Sequence, residues 1–317
     1  MAKDLNYYAK KFATLRVSRS KGIAPHKPIL LLSAIETIEQ GQLNSNQIVL
    51  SPELIATFLK LWKHLGSTSH RADIGLPFFH LRGDGFWHHQ AKPGFESIVD
   101  SNIKIRTLSA LSQAVQYAYL DEELFELLSN PASRKSLIDI LISSWFSDKT
   151  QQIEELLQVN AFAEYQEQLR LKGGEVYTPE DLEDEEVSIV RDAAFRKIVV
   201  SVYEYRCCFC GLQILNTLGE NIVDGAHIKP FSQFYDDRID NGLSLCKNHH
   251  WAFDRFWFTI NDDYTILVSD NLLEDSPHAT PMKSFHGQRI LLPTQEQYLP
   301  RLDAIAWHRQ TFTSKVG

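Results

Sequence analysis

The stretch from Val223 to Asp254, VDGAHIKPFSQFYDDRIDNGLSLCKNHHWAFD, decides the fold of the C-terminal half of this chain. It contains one half of a metal-binding pattern, C-x-x-H, and a C-x-x-C half precedes it. A two-residue spacer lets both side chains of a half turn toward one ion, and three thiolates with one imidazole suit a closed, tetrahedral Zn²⁺ site. The spacing therefore predicts a structural zinc ion bound by Cys207, Cys210, Cys246 and His249.

All the cysteines of the chain lie in this region, because Cys208 inside the first half is the only other one. A secreted disulfide scaffold would distribute its cysteines along the chain, whereas clustering in an intracellular protein favours metal binding. Cys208 is expected to take no part in the site. The alternative is a set of buried free thiols, which a single C-x-x-C pair would leave open.

Three further polar residues, His227, Asn241 and His250, lie in or beside the same motif. With AHIKP at 226–230, DNGLSLC at 240–246 and HHWAFD at 249–254, the stretch resembles the HNH endonucleases. Within them it resembles the McrA-like branch found in modification-dependent (type IV) restriction enzymes. The preceding RDAAFRKIVVSVYEYRC also resembles the helix that enters this domain. The resemblance implies a ββα-metal fold and divalent-metal-dependent hydrolysis of DNA phosphodiester bonds.

The resemblance also implies roles for these residues. His227, on the first strand, is the general base, and neutral imidazole titrates near the working pH. His250, at the start of the helix, binds the catalytic Mg²⁺ or Mn²⁺. Asn241 either shapes the loop between the strands through its side-chain hydrogen bonds or contributes to the metal. Because neighbours on a helix point about 100° apart, His249 is assigned to zinc and His250 to the catalytic site.

One position departs from the family pattern. Many relatives carry an Asp or His immediately before the base as a metal ligand, and this chain has Ala226 there. Asp224 is the candidate replacement, although it could equally cap a turn. Asp254 is expected to orient the helix. A zinc-stabilised DNA-binding module that lacks cleavage is the alternative interpretation of the whole motif.

The first 149 residues are predicted to form a mostly helical domain with one β-hairpin. Helices are expected from Pro28 to Gly41, over 51–65 with Ser51 as N-cap, over 120–128 and over 131–146. Two aromatic-rich runs flank Gly83-Asp84-Gly85, a pattern typical of a hairpin turn. The predicted fold class is therefore α+β, with a helical N-terminal domain and a C-terminal zinc-stabilised nuclease domain.

Two motifs of this domain, GIAPHKPILLL and LPFFHLRGDGFWHH, resemble the sulfur-binding domain of phosphorothioate-dependent restriction enzymes. That resemblance implies a small apolar pocket that accepts the sulfur of a modified phosphate, with basic residues nearby. Sulfur is larger and less strongly hydrated than oxygen, so proline and aromatic carbon can accept it, and basic side chains attract the phosphate. The candidate DNA-binding residues are Pro25, His26, Lys27, Arg71, His80 and Arg82, with His88 beside them.

Other interpretations of the N-terminal domain stay open at this point. It could read methylated or hydroxymethylated cytosine by base flipping, read ordinary sequence in the major groove, or bind a protein partner. The expected partner is double-stranded DNA, in modified form. Double-strand cutting by one HNH site calls for a homodimer or for two visits, and nothing in the sequence chooses between them.

Charge and composition divide the chain further. The net charge of −8 is concentrated in residues 150–190, which carry 2 Lys/Arg and 11 Asp/Glu, so it does not exclude nucleic acid. Three segments are expected: a modified-DNA recognition domain at 1–149, a helical and acidic linker at 150–187, and the nuclease domain with a C-terminal extension at 188–317. An acidic DNA mimic is the alternative role for the linker. The longest apolar run is too short for a membrane span and no secretory h-region is visible, so a cytoplasmic protein is expected.

Overall fold

The computed structural model describes residues 3–100, 107–217, 219–275 and 279–316. The fold is α+β, and the chain divides into two compact units, each with its own core. The first unit comprises residues 1–164 and 184–190, and the second comprises 165–183 and 191–317. No helix among the described residues has the length and apolar character that crossing a membrane requires.

The first unit is mainly helical and contains one two-stranded antiparallel sheet. Its helices are α1 (Leu5–Ala13), α2 (His26–Glu39), α3 (Pro52–Leu65), α4 (Gly75–His80), α5 (Glu96–Asp100), α6 (Leu108–Ala114), α7 (Glu122–Ser129), α8 (Pro131–Trp145) and α9 (Thr150–Leu156), and its strands are β1 (Trp87–Ala91) and β2 (Val115–Leu120).

Helix α2 forms the centre of this unit. It packs against α3, α4, α7 and α8, and every residue from Lys27 to Ile38 is buried. Its first turn contains Pro28, where the missing N–H costs no hydrogen bond. The neighbouring helix α3 begins as predicted, since the Ser51 side chain accepts a hydrogen bond from the N–H of Leu54.

The predicted hairpin around Gly83-Asp84-Gly85 is wrong. The residues before it form α4 and a 3-10 turn at Leu81–Asp84, and β1 pairs instead with the distant β2. The physical reason is visible at Phe78 and Phe79, which are both buried. Successive strand residues point to opposite faces, whereas a helical turn lets both rings pack inward, against Trp87 and His89.

The second unit combines helices with two short antiparallel strand pairs. Helix α10 (Ala161–Lys172) and helix α11 (Glu185–Val202) each have residues in both units. The other elements are β3 (Val223–His227), α12 (Phe231–Phe234), β4 (Gly242–Cys246), α13 (Lys247–Asp254), β5 (Phe258–Ile260), β6 (Ile266–Val268) and α14 (Leu302–Val316).

Strands β3 and β4 and helix α13 form the ββα arrangement that the motif predicts. The strands pair antiparallel, with Val223 opposite Cys246 and His227 opposite Gly242. Two glycines let α11 lie close to this pair. A Cβ on Gly225 would lie 2.8 Å from Arg196 Cα, and one on Gly242 would lie 2.4 Å from a methyl carbon of Val199.

Residues 150–171, part of the predicted helical linker, form two helices, and some of their apolar side chains are buried. Helix α10 begins after Asn160, whose side chain accepts a hydrogen bond from the N–H of Ala163. Ile153 and Leu169 are 0% and 2% exposed. The segment that follows, at 173–177, pairs with the polypeptide near Asp236. The boundaries at residues 149 and 187, which separate the recognition domain, the linker and the nuclease domain, remain predictions.

Candidate active site and metal centre

Four metal-binding side chains meet where β4 ends. The ligand atoms of Cys207, Cys210, Cys246 and His249 all lie within 4.8 Å of one another. His249 Nδ1 is 3.1 Å from Sγ of Cys246 and 3.6 Å from Sγ of Cys207. A tetrahedral Zn²⁺ ion, with bonds of about 2.3 Å to sulfur and about 2.0 Å to nitrogen, separates such ligand atoms by roughly 3.5 Å. The donor set therefore fits a structural metal ion.

Cys208 does not belong to this group. Its backbone N–H donates to the carbonyl of Ser244 at 2.7 Å, and its carbonyl accepts from the N–H of Leu291 at 2.8 Å. Burial raises the pKa of the Cys208 thiol, so the side chain stays neutral. This residue joins the cysteine loop to its neighbours through the backbone, while its side chain takes no part in the metal-binding group.

His227 ends β3 and is held on two sides. Its ring stacks on Phe195 of α11 with centroids 3.9 Å apart, and its Nε2 lies 2.7 Å from Oδ1 of Asp237. The His227 side chain is 9% exposed, and that of Asp237 is fully buried. Such packing fixes the ring plane of His227 and commits one of its two nitrogens to a carboxylate.

Asn241 is fully buried between the strands. Its amide nitrogen donates to the carbonyls of Lys229 and Asp236, at 3.2 and 2.9 Å, and its amide oxygen accepts from the N–H of Lys229 at 3.0 Å. These bonds close the loop that connects β3 to β4. The sequence left two roles open for Asn241, shaping the loop or contributing to the metal. These hydrogen bonds favour the first role.

His250 and Asp224 lie side by side. The Nδ1 of His250, on α13, is 3.4 Å from Oδ2 of Asp224 on β3. That same oxygen lies 3.1 Å from Arg196 and 3.2 Å from Lys247. Burial acts to raise the pKa of the Asp224 carboxyl, but the hydrogen bond from His250 and the two cations outweigh it and hold that pKa below its usual value. Asp224 is therefore an anion.

Asp254 lies one helical turn beyond His250, with its carboxylate 3.7 Å from the imidazole Nε2. The two ring nitrogens of His250 thus face two different carboxylates. Within the described residues, the cysteine-histidine set is the only group of three or more metal-binding side chains. A divalent ion at His250 and Asp224 would therefore complete its coordination with water and phosphate oxygens, as Mg²⁺ commonly does.

The first unit contains an open cavity of about 530 Å³. Residues before and at the start of α2 form one wall of the cavity, and residues of α4 form another. His70, which lies between these two segments in the sequence, also lines the cavity. Apolar side chains and basic side chains both line it, and the lining residues include Arg16, Val17, Lys21, Ala24, His26, Lys27, His70, Leu76, Pro77 and His80.

Three of the predicted DNA-binding residues, His26, Lys27 and His80, line this cavity. The Nε2 of His26 lies 3.0 Å from the carbonyl oxygen of Arg71, and burial lowers the pKa of the His26 ring, which therefore stays neutral at pH 7. The amine of Lys27 donates to the Asp84 carboxylate at 2.6 Å, with both side chains nearly buried. Both residues are thus held in place at the cavity wall.

The other predicted residues lie outside the lining. The guanidinium of Arg82 lies 4.0 Å from the ring centre of Phe79 and donates to the carbonyl of Val99. The Arg71 side chain is exposed, 3.6 Å from Asp184, and Pro25 is buried. His88 lies on β1, with its Nε2 2.8 Å from the Asp121 carboxylate.

Several residues at these two places were not predicted from the sequence. In the cavity they are Arg16, Lys21, His70, Leu76 and Pro77, which come from three separated segments. Leu76 and Pro77 begin the LPFFH motif, and their apolar character could have indicated that they line a cavity. Beside His227 the missed residues are Asp237 and Arg191, and only the acidic pair Asp236-Asp237 ahead of the motif asparagine could have indicated them.

Two family models match separate parts of the chain. Residues 207–261 match the family model described as HNH endonuclease, and residues 6–163 match the model described as ScoMcrA-like, DNA sulfur-binding domain. No curated protein matches the chain.

Several solved structures are similar to parts of the chain. The modification dependent TagI restriction endonuclease is 28% identical with a TM-score of 0.29, over 38% of this chain and 38% of that one. The sulfur binding domain of ScoMcrA complexed with phosphorothioated DNA is 23% identical, with a TM-score of 0.37, over 47% of this chain and 98% of that one. The type IV phosphorothioation-dependent restriction endonuclease ScoMcrA is 14% identical, with a TM-score of 0.37, over 77% and 94%.

The ββα strands and helix, the metal-binding group and the residues His227, Asn241 and His250 define an HNH endonuclease domain. A ScoMcrA-like DNA sulfur-binding domain precedes it in the same chain. The two parts of the chain therefore match the two domain families that its sequence motifs predicted, an HNH endonuclease and a ScoMcrA-like DNA sulfur-binding domain.

Proposed function

We propose that this protein is a modification-dependent restriction endonuclease that hydrolyses double-stranded DNA once its N-terminal domain has bound a phosphorothioate. One observation carries the proposal: a single chain joins an HNH site with His227, Asp224 and His250 in place to a match with a DNA sulfur-binding domain over residues 6–163. A nuclease that cut all DNA would destroy its host's genome, and the N-terminal domain supplies the required gate.

In the proposed reaction His227 is the general base. The imidazole accepts a proton from the attacking water, and the water oxygen bonds to phosphorus. The bond from phosphorus to the leaving sugar oxygen breaks, and that oxygen takes up a proton from solvent to form the hydroxyl product. His250 and Asp224 would hold Mg²⁺ or Mn²⁺, which would stabilise the charge that develops on the phosphate. Asn241 keeps the loop between β3 and β4 closed, so that these side chains stay aligned. Arg196 and Lys247, beside Asp224, provide positive charge for the DNA backbone.

The cavity of the first unit is the proposed sulfur site. Leu76, Pro77, Ala24 and Val17 provide apolar wall, which a large and weakly hydrated sulfur tolerates better than a phosphate oxygen does. Arg16 and Lys21 are exposed at the same cavity and would bind the flanking phosphates. Arg71 and Arg82 remain candidates for backbone contacts outside the cavity.

The metal-binding group is proposed to hold one Zn²⁺ ion in a structural role. Its four protein ligands leave no open position for substrate, which distinguishes structural from catalytic zinc. Because β4 ends at one ligand and α13 carries another, the ion would join the strand to the helix that bears His250.

A homodimer is proposed for double-strand cutting, since one HNH site hydrolyses one strand at a time.

The test uses the full chain and matched duplexes that differ only in one modification: none, phosphorothioate, methylcytosine or hydroxymethylcytosine. With Mg²⁺ or Mn²⁺, we expect cleavage of the phosphorothioate duplex and little of the others. His227→Ala should lower the rate by about 10²-fold or more, as removal of a positioned base does, and leave binding unchanged. Equal cleavage of all duplexes would reject the gate, and a His227→Ala variant as fast as the wild type would reject the base.

The same assay addresses assembly. On a supercoiled plasmid that carries one modified site, a dimer should produce linear product without an accumulating nicked intermediate. Light scattering of the protein bound to a single-site duplex should then give two chains per duplex. A single chain per duplex, together with accumulation of nicked plasmid, would contradict the homodimer.

A further inference from the structure

A buried carboxylate lies directly behind the proposed base. Asp237 has no exposed side-chain surface, and its Oδ1 lies 2.7 Å from Nε2 of His227. Its two oxygens also accept hydrogen bonds from Nη1 of Arg191, at 3.3 and 3.2 Å. The Arg191 guanidinium in turn lies 3.3 Å from the ring centre of Phe231. The three charged or titratable groups therefore form one packed cluster.

The chemistry of this contact determines where the proton of His227 lies. An ionised carboxylate only accepts hydrogen bonds, so Nε2 must carry the proton that lies between the two groups. Neutral imidazole has a single N–H, and its lone pair is then on Nδ1. Arg191 balances the negative charge of Asp237, without which a fully buried carboxylate would be unfavourable.

We propose that Asp237 is a positioning residue that holds His227 in the tautomer whose Nδ1 accepts the proton of the attacking water. This inference rests on the proposed function, in which His227 is the base. When Nδ1 takes up the proton, the ring becomes an imidazolium, and the carboxylate on its other nitrogen stabilises the new positive charge. The proton leaves later from Nδ1 to solvent, and Asp237 itself stays ionised throughout.

A second segment fixes the position of Asp237. The N–H of Asp237 donates to the carbonyl of Glu175 at 2.9 Å, and the N–H of Ile239 donates to the carbonyl of Gly173 at 3.0 Å. Gly174 between them has a φ of +97°, and a Cβ there would lie 2.3 Å from the carbonyl oxygen of Asp237. Residues 173–177, which lie within the predicted linker, thus form a backbone support for the Asp237 loop.

The main test replaces the carboxylate in the full-length protein. Asp237→Asn keeps the size of the side chain and removes its charge, and its amide can present a donor to Nε2 and so favour the wrong tautomer. We expect single-turnover cleavage of the phosphorothioate duplex to fall by about 10²- to 10⁴-fold, the range known for a histidine base that loses its orienting aspartate. DNA affinity and metal content should stay unchanged, and Asp237→Glu should recover part of the rate.

The split between chemistry and binding separates positioning from stability. A positioning role predicts that Asp237→Asn lowers the single-turnover rate at saturating protein while its affinity for the duplex stays at the wild-type value, whereas loss of the fold lowers both. The matched control is Asp236→Asn, which removes a neighbouring buried carboxylate that pairs with Arg238 and Arg301 instead. That variant should lower the melting temperature without the loss in single-turnover rate.

A measurement on the unmodified protein covers the case in which Asp237→Asn does not fold. Histidine-selective ¹⁵N NMR, with His227→Ala to assign the signal, should show a protonated Nε2 and an unprotonated Nδ1 in His227. The opposite pattern would overturn the inference. So would an Asp237→Asn enzyme within threefold of the wild-type rate when His227→Ala is inactive. If His227→Ala is itself fully active, the general-base assignment fails, which is a different result.

Discussion

The surroundings of His227 and the cavity of the first unit are built in opposite ways. Near His227, the supporting side chains of Asp237 and Asn241 are fully buried and hydrogen-bonded. At the cavity, Arg16 and Lys21 are exposed and Leu76 keeps 42% of its surface accessible. Proton transfer requires a ring held in one orientation, whereas a DNA reader must leave its contacts open to the ligand. The contrast indicates rigid positioning in one domain and accessible charge in the other.

The largest effect is expected at the metal-binding group. Cys207→Ala should abolish metal binding and unfold the strands and helix around it, because structural zinc supplies on the order of 10 kcal/mol of folding free energy in small sites. The matched control is the adjacent Cys208→Ala, which removes a buried thiol outside the group. Elemental analysis and circular dichroism should find one zinc per chain in the wild type and in Cys208→Ala. A folded Cys207→Ala protein, or a folded wild type without zinc, would contradict the prediction.

A smaller effect is expected at the backbone support of Asp237. In Gly174→Ala the new Cβ cannot avoid the carbonyl of Asp237, since the neighbouring atoms are backbone. The loop must shift, so the cleavage rate should fall at least tenfold and the melting temperature should drop. Gly173→Ala is the control, because its φ of +77° is similar but a Cβ there would meet no atom within 4 Å. It should lose only about 1 kcal/mol of stability from backbone strain. Equal rates in the two variants would show that the support does not matter for cleavage.

The smallest effects are expected at the cavity. Leu76→Asn places a polar group in its apolar wall and should reduce the preference for phosphorothioate over unmodified duplex by about tenfold, which corresponds to about 1.4 kcal/mol. Ile23→Asn changes a similarly exposed apolar residue that does not line the cavity, and should leave the preference unchanged. Equal changes in both variants would place the sulfur elsewhere.

Arg16→Ala provides the complementary measurement at the same cavity. It should weaken binding of both duplexes alike and lower the slope of log affinity against log salt by about one, as loss of one phosphate contact does. A selective loss for the modified duplex would instead assign Arg16 to the sulfur itself.

The sequence was sufficient for the parts of the site that lie close together in the chain. The spacing of the cysteines and His249 predicted the metal-binding group, and the motif around His227 and Asn241 predicted the two strands and the loop. These contacts are local, so residue type and spacing nearly determine them. The helices α2 and α3 were equally predictable, from Pro28 and from the Ser51 cap.

The features that the sequence did not predict depend on contacts between segments that are distant in the chain. The pairing of β1 with β2 spans two intervening helices, and no local pattern at Gly83-Asp84-Gly85 indicates it. The Asp237 contact depends on how the loop between β3 and β4 folds, and two adjacent aspartates gave no basis for choosing one. The cavity required three segments to come together, so only His26, Lys27 and His80 of the predicted reader residues line it.

The support of the Asp237 loop by residues 173–177 has a practical consequence for anyone who recombines such enzymes. A nuclease module cut at residue 188 would contain every motif residue and would still lack the backbone partner of Asp237. The unit that contains this segment starts at Tyr165. Fusions to a different DNA reader should therefore join upstream of Tyr165, in the non-helical segment between the end of α9 at Leu156 and the start of α10 at Ala161.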